Sequence, residues 1–193
     1  MSVNPEIIVI GASLGGLVAM ETVLSGLSGE FKPPIAVVMH RGTLSGDGLL
    51  RTLRRHTSLE VREAQDKDAI VPGRITLAPP DYHLLVERGA YALSTEAPVL
   101  YARPSIDVLF ESAADAYHER VLAIVLTGAS CDGARGAARI KALGGKLVVQ
   151  SPPTAESPVM PKAAIDAAQP DQILPLAEIG PFLTQQFARN GPQ

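Results

Sequence analysis

A serine lies between closely spaced glycines near the start of the chain, in the segment GASLG from Gly11 to Gly15. This segment matches the pattern G-x-S-x-G. It follows the apolar run EIIVIG and precedes apolar residues at helical spacing, which is the strand-turn-helix context that the pattern requires. Glycines on both sides allow a sharp turn that exposes the Ser13 hydroxyl beside helix-terminal amides, where an oxyanion would be stabilised. Ser13 is therefore a candidate nucleophile, and it would need a base to activate it.

A base and an acid for Ser13 are available at the ends of other predicted strands. His40 closes the β-branched run IAVVMH, and Asp132 follows the run VLAIVLT after a short loop. Because the carboxyl ends of parallel strands meet at one edge of a sheet, we expect Ser13, His40 and Asp132 to converge there. These are the residue types of a Ser-His-Asp triad. The other histidines are predicted near helix ends or in an antiparallel segment: His56, His83 and His118.

Each of these residues also has a simpler interpretation. The glycine-rich turn around Ser13 could hold a phosphate or a dinucleotide. However, the next strand ends in Met39-His40-Arg41 instead of the acidic residue that dinucleotide folds use. His40 alone could be a hydrogen-bonded structural histidine, and Asp132 before Gly133 could be a helix N-cap. Together at one sheet edge, the three residues favour the triad.

The order of the candidate residues also bears on the fold. Ordinary α/β-hydrolases place the histidine after the acidic residue of the triad. In this chain no histidine follows Asp132. We therefore expect a different fold that uses the same chemistry.

Length and composition narrow the class of protein. The chain has 193 residues, of which 46% are hydrophobic and 19% charged, as is typical of one globular domain. The net charge is −3, aromatic residues make up 4% and Trp is absent, so we expect no nucleic-acid partner. No uncharged stretch is long enough to span a membrane, so we expect no membrane insertion. Because Cys131 is the only cysteine and no export signal is visible, we expect a cytoplasmic protein.

The pattern along the chain predicts alternating strands and helices, which assemble into a mostly parallel sheet with helices on both faces. An amphipathic helix is predicted over 104–117. Pro181 interrupts the last helical pattern, so that helix is predicted to begin at Gly180. The Pro-dense stretch 151–161 is predicted as a loop. Predicted strands are 6–11, 35–40, 121–127 and 146–150, predicted helices are 17–27, 48–56 and 132–143, and the segments 74–78, 82–87 and 91–94 are predicted as a hairpin or small antiparallel patch.

Two further features carry weaker signals. Arg51, Arg54 and Arg55 form a basic face of a predicted helix, with Arg41 nearby in sequence. Such a cluster is usually solvated surface, although it could dock an acidic partner. Cys131 lacks the thiol and histidine neighbours that a metal site needs, so we interpret it as a loop residue.

Short motifs follow one another in order over about residues 7–183. They are IGAS at 10–13 followed by Gly15-Gly16, VMH at 38–40, APPDYHL at 78–84, RPSID at 103–107, LTG at 126–128, DGA at 132–134, Gln150 and Met160-Pro161. In these motifs the sequence resembles the catalytic domain of the chemotaxis protein-glutamate methylesterases.

The resemblance implies both a fold and an activity. The fold is a three-layer α/β/α domain, with a mostly parallel doubly wound sheet and a small antiparallel hairpin, and we expect it to occupy 1–193 as a single domain. The activity is hydrolysis of glutamate γ-methyl esters, with deamidation of glutamine, on the helices of methylated chemoreceptors. The family's triad corresponds to Ser13, His40 and Asp132, and no metal or organic cofactor is implied.

Two positions depart from the family. Its members usually have Thr after the nucleophile and Met two residues after the position of Thr127, where this chain has Leu14 and Ala129. Leu14 and Ala129 are therefore candidate oxyanion or substrate-binding residues that act through their backbone amides. Without the hydroxyl and the thioether, the chain could instead be a weak or inactive methylesterase-like module that binds receptors or partner proteins. Family members commonly carry an N-terminal receiver domain. We expect none in this chain, so a receiver would act as a separate protein.

Overall fold

The computed structural model describes residues 4–40 and 48–188. In this part of the chain, apolar and β-branched runs form the strands, and segments with apolar residues at helical spacing form the helices. The strands are β1 (Ile7–Ala12), β2 (Ile35–Met39), β3 (Glu60–Glu63), β4 (Arg74–Leu77), β5 (His83–Glu87), β6 (Ala90–Ser94), β7 (Val121–Val125), β8 (Lys146–Gln150) and β9 (Gln172–Leu174). The helices are α1 (Gly16–Ser25), α2 (Gly48–Arg54), α3 (Ile106–Tyr117), α4 (Ala134–Ala142), α5 (Val159–Ala168) and α6 (Leu176–Ala188), with short 3₁₀ turns at His118–Arg120 and Pro152–Thr154.

Seven strands form one parallel sheet in the order β3-β4-β2-β1-β7-β8-β9. β1 is central, because Ile8 pairs with Ile35 of β2 on one side and with Leu122 of β7 on the other. Every residue of β1 is buried, as expected of a parallel strand covered on both faces. The chain passes from β1 to β2 on one side and returns to β7 on the other. The carboxyl ends of β1, β2 and β7 therefore border the switch point at which α/β proteins bind ligands.

The side chains of β1 alternate between two apolar cores, one on each face of the sheet. Ile7 and Val9 share a core with residues of α3, α4 and α5. Ile8 and Ile10 share the other core with residues of α1, α2 and α6. The predicted three-layer α/β/α fold is thus confirmed, and β5 and β6 form the small antiparallel hairpin.

The prediction that residues 74–78 join the antiparallel patch is wrong. β4 lies in the main sheet, where Ile75 pairs in parallel with Ile35 of β2 and with Val61 of β3. Ile75 and Leu77 are buried in the core shared with α1, so β4 is stabilised by packing that a hairpin edge would not provide. β3 was not predicted, because its sequence, EVRE, buries only Val61 and forms no apolar run.

The C-terminal helix α6 begins at Leu176 instead of the predicted Gly180, and it continues through Pro181. Pro181 has no amide hydrogen and removes one helical hydrogen bond. Burial of Ile179 in the core shared with α1 offsets this loss. Gly180 also approaches α1 closely, since a Cβ atom on it would lie 3.0 Å from the Cα of Gly26. Tertiary packing therefore decides where this helix begins.

The Pro-dense stretch 151–161 is a loop only in part. Helix α5 begins at Val159, so Pro161 lies in its first turn, where an amide has no intrahelical partner to lose. β9 was not predicted, because its three residues are exposed or half-buried and form no buried apolar run. Among the described helices, none is long and apolar enough to cross a membrane.

Candidate active site

Backbone hydrogen bonds place Ser13 between the ends of two neighbouring strands. The amide of His40 donates to the carbonyl of Ala12 at 3.0 Å, and the amide of Ser13 donates to the carbonyl of Thr127 at 2.9 Å. The Thr127 hydroxyl also donates to the carbonyl of Leu14 at 2.9 Å. Ser13 is half-buried and lies at the carboxyl edge of the sheet, as the sequence predicts.

The turn after Ser13 depends on glycine. Gly15 has a φ of 76° and precedes α1 as its N-cap residue, a left-handed conformation that residues with a Cβ rarely adopt. A Cβ on Gly15 would also lie 2.6 Å from the Glu156 carboxylate. The backbone therefore turns sharply from β1 into α1 directly after Ser13.

His40 and Asp132, which are 92 residues apart in sequence, meet at this edge. The distance from His40 Nε2 to Asp132 Oδ2 is 2.7 Å, and the side chains of His40 and Asp132 are 17% and 0% exposed. A carboxylate can only accept, so Nε2 carries the hydrogen and Nδ1 is left to accept another proton. In the described part of the chain, the Ser13 hydroxyl makes no hydrogen bond to His40, a separation common before substrate binds.

The Asp132 carboxylate is surrounded by donors. Oδ2 accepts from His40 and from the Ile106 amide at 2.7 Å. Oδ1 accepts from the Ser105 hydroxyl at 2.8 Å and from the Asp107 amide at 2.9 Å. Burial alone would raise the pKa of Asp132, but the hydrogen bonds from His40, Asp107, Ile106 and Ser105 together lower it below its ordinary value. Asp132 is thus held as an anion.

The interpretation of Asp132 as a cap of the helix that follows it does not hold. The N-cap of α4 is Gly133, with a φ of 98° and no side-chain cap hydrogen bond. Asp132 instead binds the amides of Ile106 and Asp107, the first two residues of α3. It stabilises the N-terminus of a different helix while it also holds His40.

The candidate oxyanion residues border Ser13. Leu14 is 53% exposed and Ala129 is exposed. Gly128, next to Ala129, packs against Ser13 so closely that a Cβ on Gly128 would lie 2.9 Å from the Ser13 Cβ. Within residues 4–40 and 48–188, the amides of Leu14 and Ala129 donate to no protein acceptor, so both are available to a ligand.

The remaining candidates lie elsewhere. His56 is near Glu21, at 3.6 Å, and His118 is exposed at the end of α3. Cys131 is a free, exposed cysteine. Among the residues that the structure describes, no group of His, Cys, Asp and Glu could hold a metal ion.

The basic face is exposed at Arg51, Arg54 and Arg55. Arg54 Nε donates to the carbonyl of Val61 at 2.9 Å. The fourth member that the sequence suggested, Arg41, lies outside the described residues. Nothing in these contacts ties the basic face to the site.

Sequence reasoning gave no role to three buried side chains that support the site. Ser105 donates to Asp132, His83 accepts from the Ser105 amide, and Gln150 accepts from the Thr127 amide at 2.8 Å. These residues lie in the motifs APPDYHL and RPSID and at the end of β8. The predicted helix 104–117 included Ser105, whereas the helix begins at Ile106 and Ser105 is its N-cap residue, so the sequence pattern gave no signal for a role of Ser105.

The fold, together with Ser13, His40 and Asp132 at the carboxyl edge of its sheet, defines a doubly wound α/β protein with a candidate hydrolase site. Comparison with known families identifies it more closely: the model described as CheB methylesterase matches residues 8–183. The chain belongs to the CheB methylesterase family, as its sequence motifs indicated.

Individual relatives agree with this assignment. A Leptospira interrogans protein, provisionally named for protein-glutamate methylesterase and protein-glutamine glutaminase activity, is 44% identical over 177 residues, which cover 91% of this chain and 92% of that protein. A protein-glutamate methylesterase/protein-glutamine glutaminase of Anaeromyxobacter dehalogenans is 41% identical over 174 residues, which cover 90% of this chain and 51% of that protein. The crystal structure of the Thermotoga maritima CheB methylesterase catalytic domain superposes with a TM-score of 0.89 at 31% identity, covering 95% of this chain and 99% of that one.

Proposed function

We propose that this protein is a serine hydrolase that demethylates glutamate γ-methyl esters on the helices of methylated chemoreceptors, and that it deamidates glutamine by the same chemistry. The observation that carries the proposal is the 2.7 Å hydrogen bond between His40 Nε2 and Asp132 Oδ2 at the sheet edge where Ser13 lies. The names of the relatives, protein-glutamate methylesterase/protein-glutamine glutaminase, support the substrate class.

In the first half of the proposed reaction, the Ser13 oxygen attacks the ester carbonyl and its proton passes to His40 Nδ1. The tetrahedral intermediate collapses, the bond to methoxide breaks, and His40 returns the proton so that methanol leaves. Asp132 stabilises the imidazolium and keeps Nδ1 directed towards the reacting groups. With glutamine as substrate, the group that leaves is ammonia.

In the second half, water attacks the glutamyl ester of Ser13. His40 Nδ1 accepts a proton from the water and then returns it to the Ser13 oxygen, so the products are free enzyme and a glutamic acid side chain, which releases its proton to solvent as the carboxylate forms. Donors for the negative oxygen in both halves are the amides of Leu14 and Ala129. Because the donors are backbone groups, they are retained although the side chains differ from the family's usual Thr and Met.

The proposed partners follow from this substrate. Methylated receptor helices carry the ester, and a separate receiver protein is a proposed regulator. We place the reaction in the cytoplasm, the compartment expected for a chain whose single cysteine, Cys131, has no partner for an internal disulfide.

The experiment that tests the proposal is methanol release from membranes that contain methylated receptors. The wild-type protein should release methanol, and Ser13→Ala, which removes only the hydroxyl, should not. Covalent labelling of Ser13 by a fluorophosphonate is a second readout. A folded wild-type protein that neither releases methanol nor takes up the label would contradict the proposal and would favour the non-catalytic binding module.

A further inference from the structure

A chain of hydrogen bonds leads from the loop between β6 and α3, through His83 of β5 and Ser105, to the Asp132 carboxylate. His83 Nε2 lies 3.2 Å from the carbonyl of Ala97, and the Ser105 amide donates to His83 Nδ1 at 3.2 Å. The Ser105 hydroxyl then donates to Asp132 Oδ1 at 2.8 Å. His83 is 1% exposed, and Ser105 and Asp132 are 0% exposed, so water cannot replace the contacts that join these three residues.

The direction of each hydrogen bond in this chain is fixed by chemistry. The carbonyl of Ala97 can only accept, so the hydrogen of neutral His83 lies on Nε2 and Nδ1 is the acceptor. Nδ1 is therefore matched to the amide of Ser105. The Asp132 carboxylate can only accept, so the Ser105 hydroxyl must donate to it. One arrangement of hydrogens satisfies all three contacts.

The Ser105 hydroxyl does not cap α3, although Ser105 stands at the N-terminus of that helix. Ser105 is the N-cap residue of α3, where a serine oxygen ordinarily accepts from an amide of the first turn, yet it makes no such bond. Asp132 takes the amides of Ile106 and Asp107 in its place. The hydroxyl is thereby free to hold Oδ1, while Oδ2 is shared between Ile106 and His40.

We propose that Ser105 is a positioning residue for the Asp132 carboxylate and that His83 acts through Ser105. This inference rests on the proposed function, in which Asp132 orients His40. With both oxygens anchored, the carboxylate plane cannot rotate, and Oδ2 stays directed at His40 Nε2. Without the Ser105 hydroxyl, Oδ1 keeps a single donor, the Asp107 amide, and the His40 ring loses part of its alignment.

The first test compares Ser105→Ala with Ser105→Thr. Ser105→Ala should lower kcat about tenfold with KM unchanged, the size expected for one hydrogen bond to a charged group. Ser105→Thr retains a hydroxyl and should restore kcat to within about threefold of wild type. Urea unfolding of each variant separates this effect from stability. A Ser105→Ala enzyme with wild-type kcat would overturn the proposal.

The second test uses two substitutions of His83 that keep different halves of the imidazole. The amide of Asn can reproduce the Nδ1 acceptor, whereas the longer Gln reproduces the Nε2 donor. His83→Asn should therefore have a higher kcat than His83→Gln. The fall in kcat for His83→Gln should be about as large as that for Ser105→Ala. Equal kcat values for the two folded variants would show that His83 does not act through Ser105. If neither variant folds, the Ser105 pair decides the proposal.

A third measurement does not depend on hydrolysis. The proton on His40 Nε2, bound to Asp132, should give a downfield NMR signal that shifts or broadens in Ser105→Ala and returns in Ser105→Thr. An unchanged signal in Ser105→Ala would contradict the positioning role even if the wild-type protein had no esterase activity. Wild-type protein without activity but with the expected signal changes would contradict only the proposed function.

Discussion

Asp107 and Asp132 each cap the helix that begins beside the other. Asp132, just before α4, accepts from the amide of Asp107 in the first turn of α3. Asp107 Oδ1 in turn accepts from the amides of Gly133 and Gly136 at 2.9 and 2.8 Å, at the start of α4. Both carboxylates thus lie at helix N-termini, where negative charge is stabilised. The exchange fixes the two helices to each other and places Asp132 against His40.

The two carboxylates differ in how easily they ionise. The pKa of Asp132 is lowered by its donors, whereas burial, with the nearby charge of Asp132, raises the pKa of Asp107 above 3.8. Asp107 therefore keeps its proton in the folded protein at pH values where the unfolded chain has lost it. Its contribution to stability is full below about pH 3.8 and is lost as the pH rises through the folded-state value.

The raised pKa of Asp107 predicts how the stability of the Asp107→Asn variant depends on pH. Asn cannot ionise, and its side-chain oxygen can still accept from Gly133 and Gly136. The free energy of unfolding of the variant, relative to wild type, should rise as the pH increases from about 4 and then level off. Urea unfolding at several pH values measures this difference. The hydrogen-bond donors to Asp132 are the same in both proteins, so most of its contribution, which has the opposite sign, is common to the two and drops out of the difference. A difference that does not change between about pH 4 and 8 would contradict the prediction.

Asp132→Asn should damage both activity and stability. Asn offers one oxygen where two are used, so its NH₂ group must face the amide of either Ile106 or Asp107. An unsatisfied buried donor costs about 1–3 kcal/mol. Loss of the anion beside His40 should lower kcat about 10⁴-fold, as in other triads. Hydrolysis is measured at a temperature where urea unfolding shows the variant to be folded. A loss of less than about tenfold would reduce Asp132 to a cap of α3.

Gly128→Ala tests the contact between the loop after β7 and Ser13. The new Cβ would lie 2.9 Å from the Ser13 Cβ and 2.6 Å from the Met160 methyl group. The Met160 side chain is flexible and can move away, but the position of the Ser13 Cβ is set by the backbone, so the turn that carries Ser13 must shift. A shift of about 1 Å in a reacting group can cost 10²-fold, so we expect kcat to fall about 100-fold.

Gly48→Ala is the matched control for this substitution. A Cβ on Gly48, the first residue of α2, would meet no atom of the described residues within 4 Å. The control should keep wild-type kcat and an unchanged or slightly higher unfolding midpoint. Equal kcat values for Gly128→Ala and Gly48→Ala would show that Ser13 does not depend on this close approach.

The sequence was sufficient to place Ser13, His40 and Asp132 at one edge, because each follows a strong apolar run and parallel strands end together. It could not assign Ser105 or His83 a role, since their contacts depend on how α3 faces the start of α4. No local pattern encodes that arrangement. The start of α6 was mispredicted for the same reason. Packing against α1 decides where this helix begins, whereas the sequence offered only Pro181 as a marker of its start.

The length of the acyl chain that the enzyme accepts depends on how deep an apolar pocket lies beside Ser13. Aromatic residues are scarce, at 4% of the chain. A cavity of about 390 Å³, lined by apolar residues such as Phe31 and Phe187 and by charged ones such as Glu30 and Lys32, lies near the amino ends of β1 and β2, at the opposite edge from Ser13. The site edge itself is open at Leu14, which is 53% exposed. We therefore expect a shallow site suited to a glutamyl side chain on a helix surface.

Nitrophenyl esters of increasing acyl length measure this directly. A tunnel that buried the acyl chain would gain about 0.8 kcal/mol per CH₂, or about fourfold in kcat/KM. We expect no such rise from acetate to octanoate, and a methylated receptor helix should be hydrolysed in preference to either. Ser13→Ala serves as the blank for every substrate. A steady increase of kcat/KM with chain length would contradict a shallow site, because it requires apolar surface that closes over the substrate.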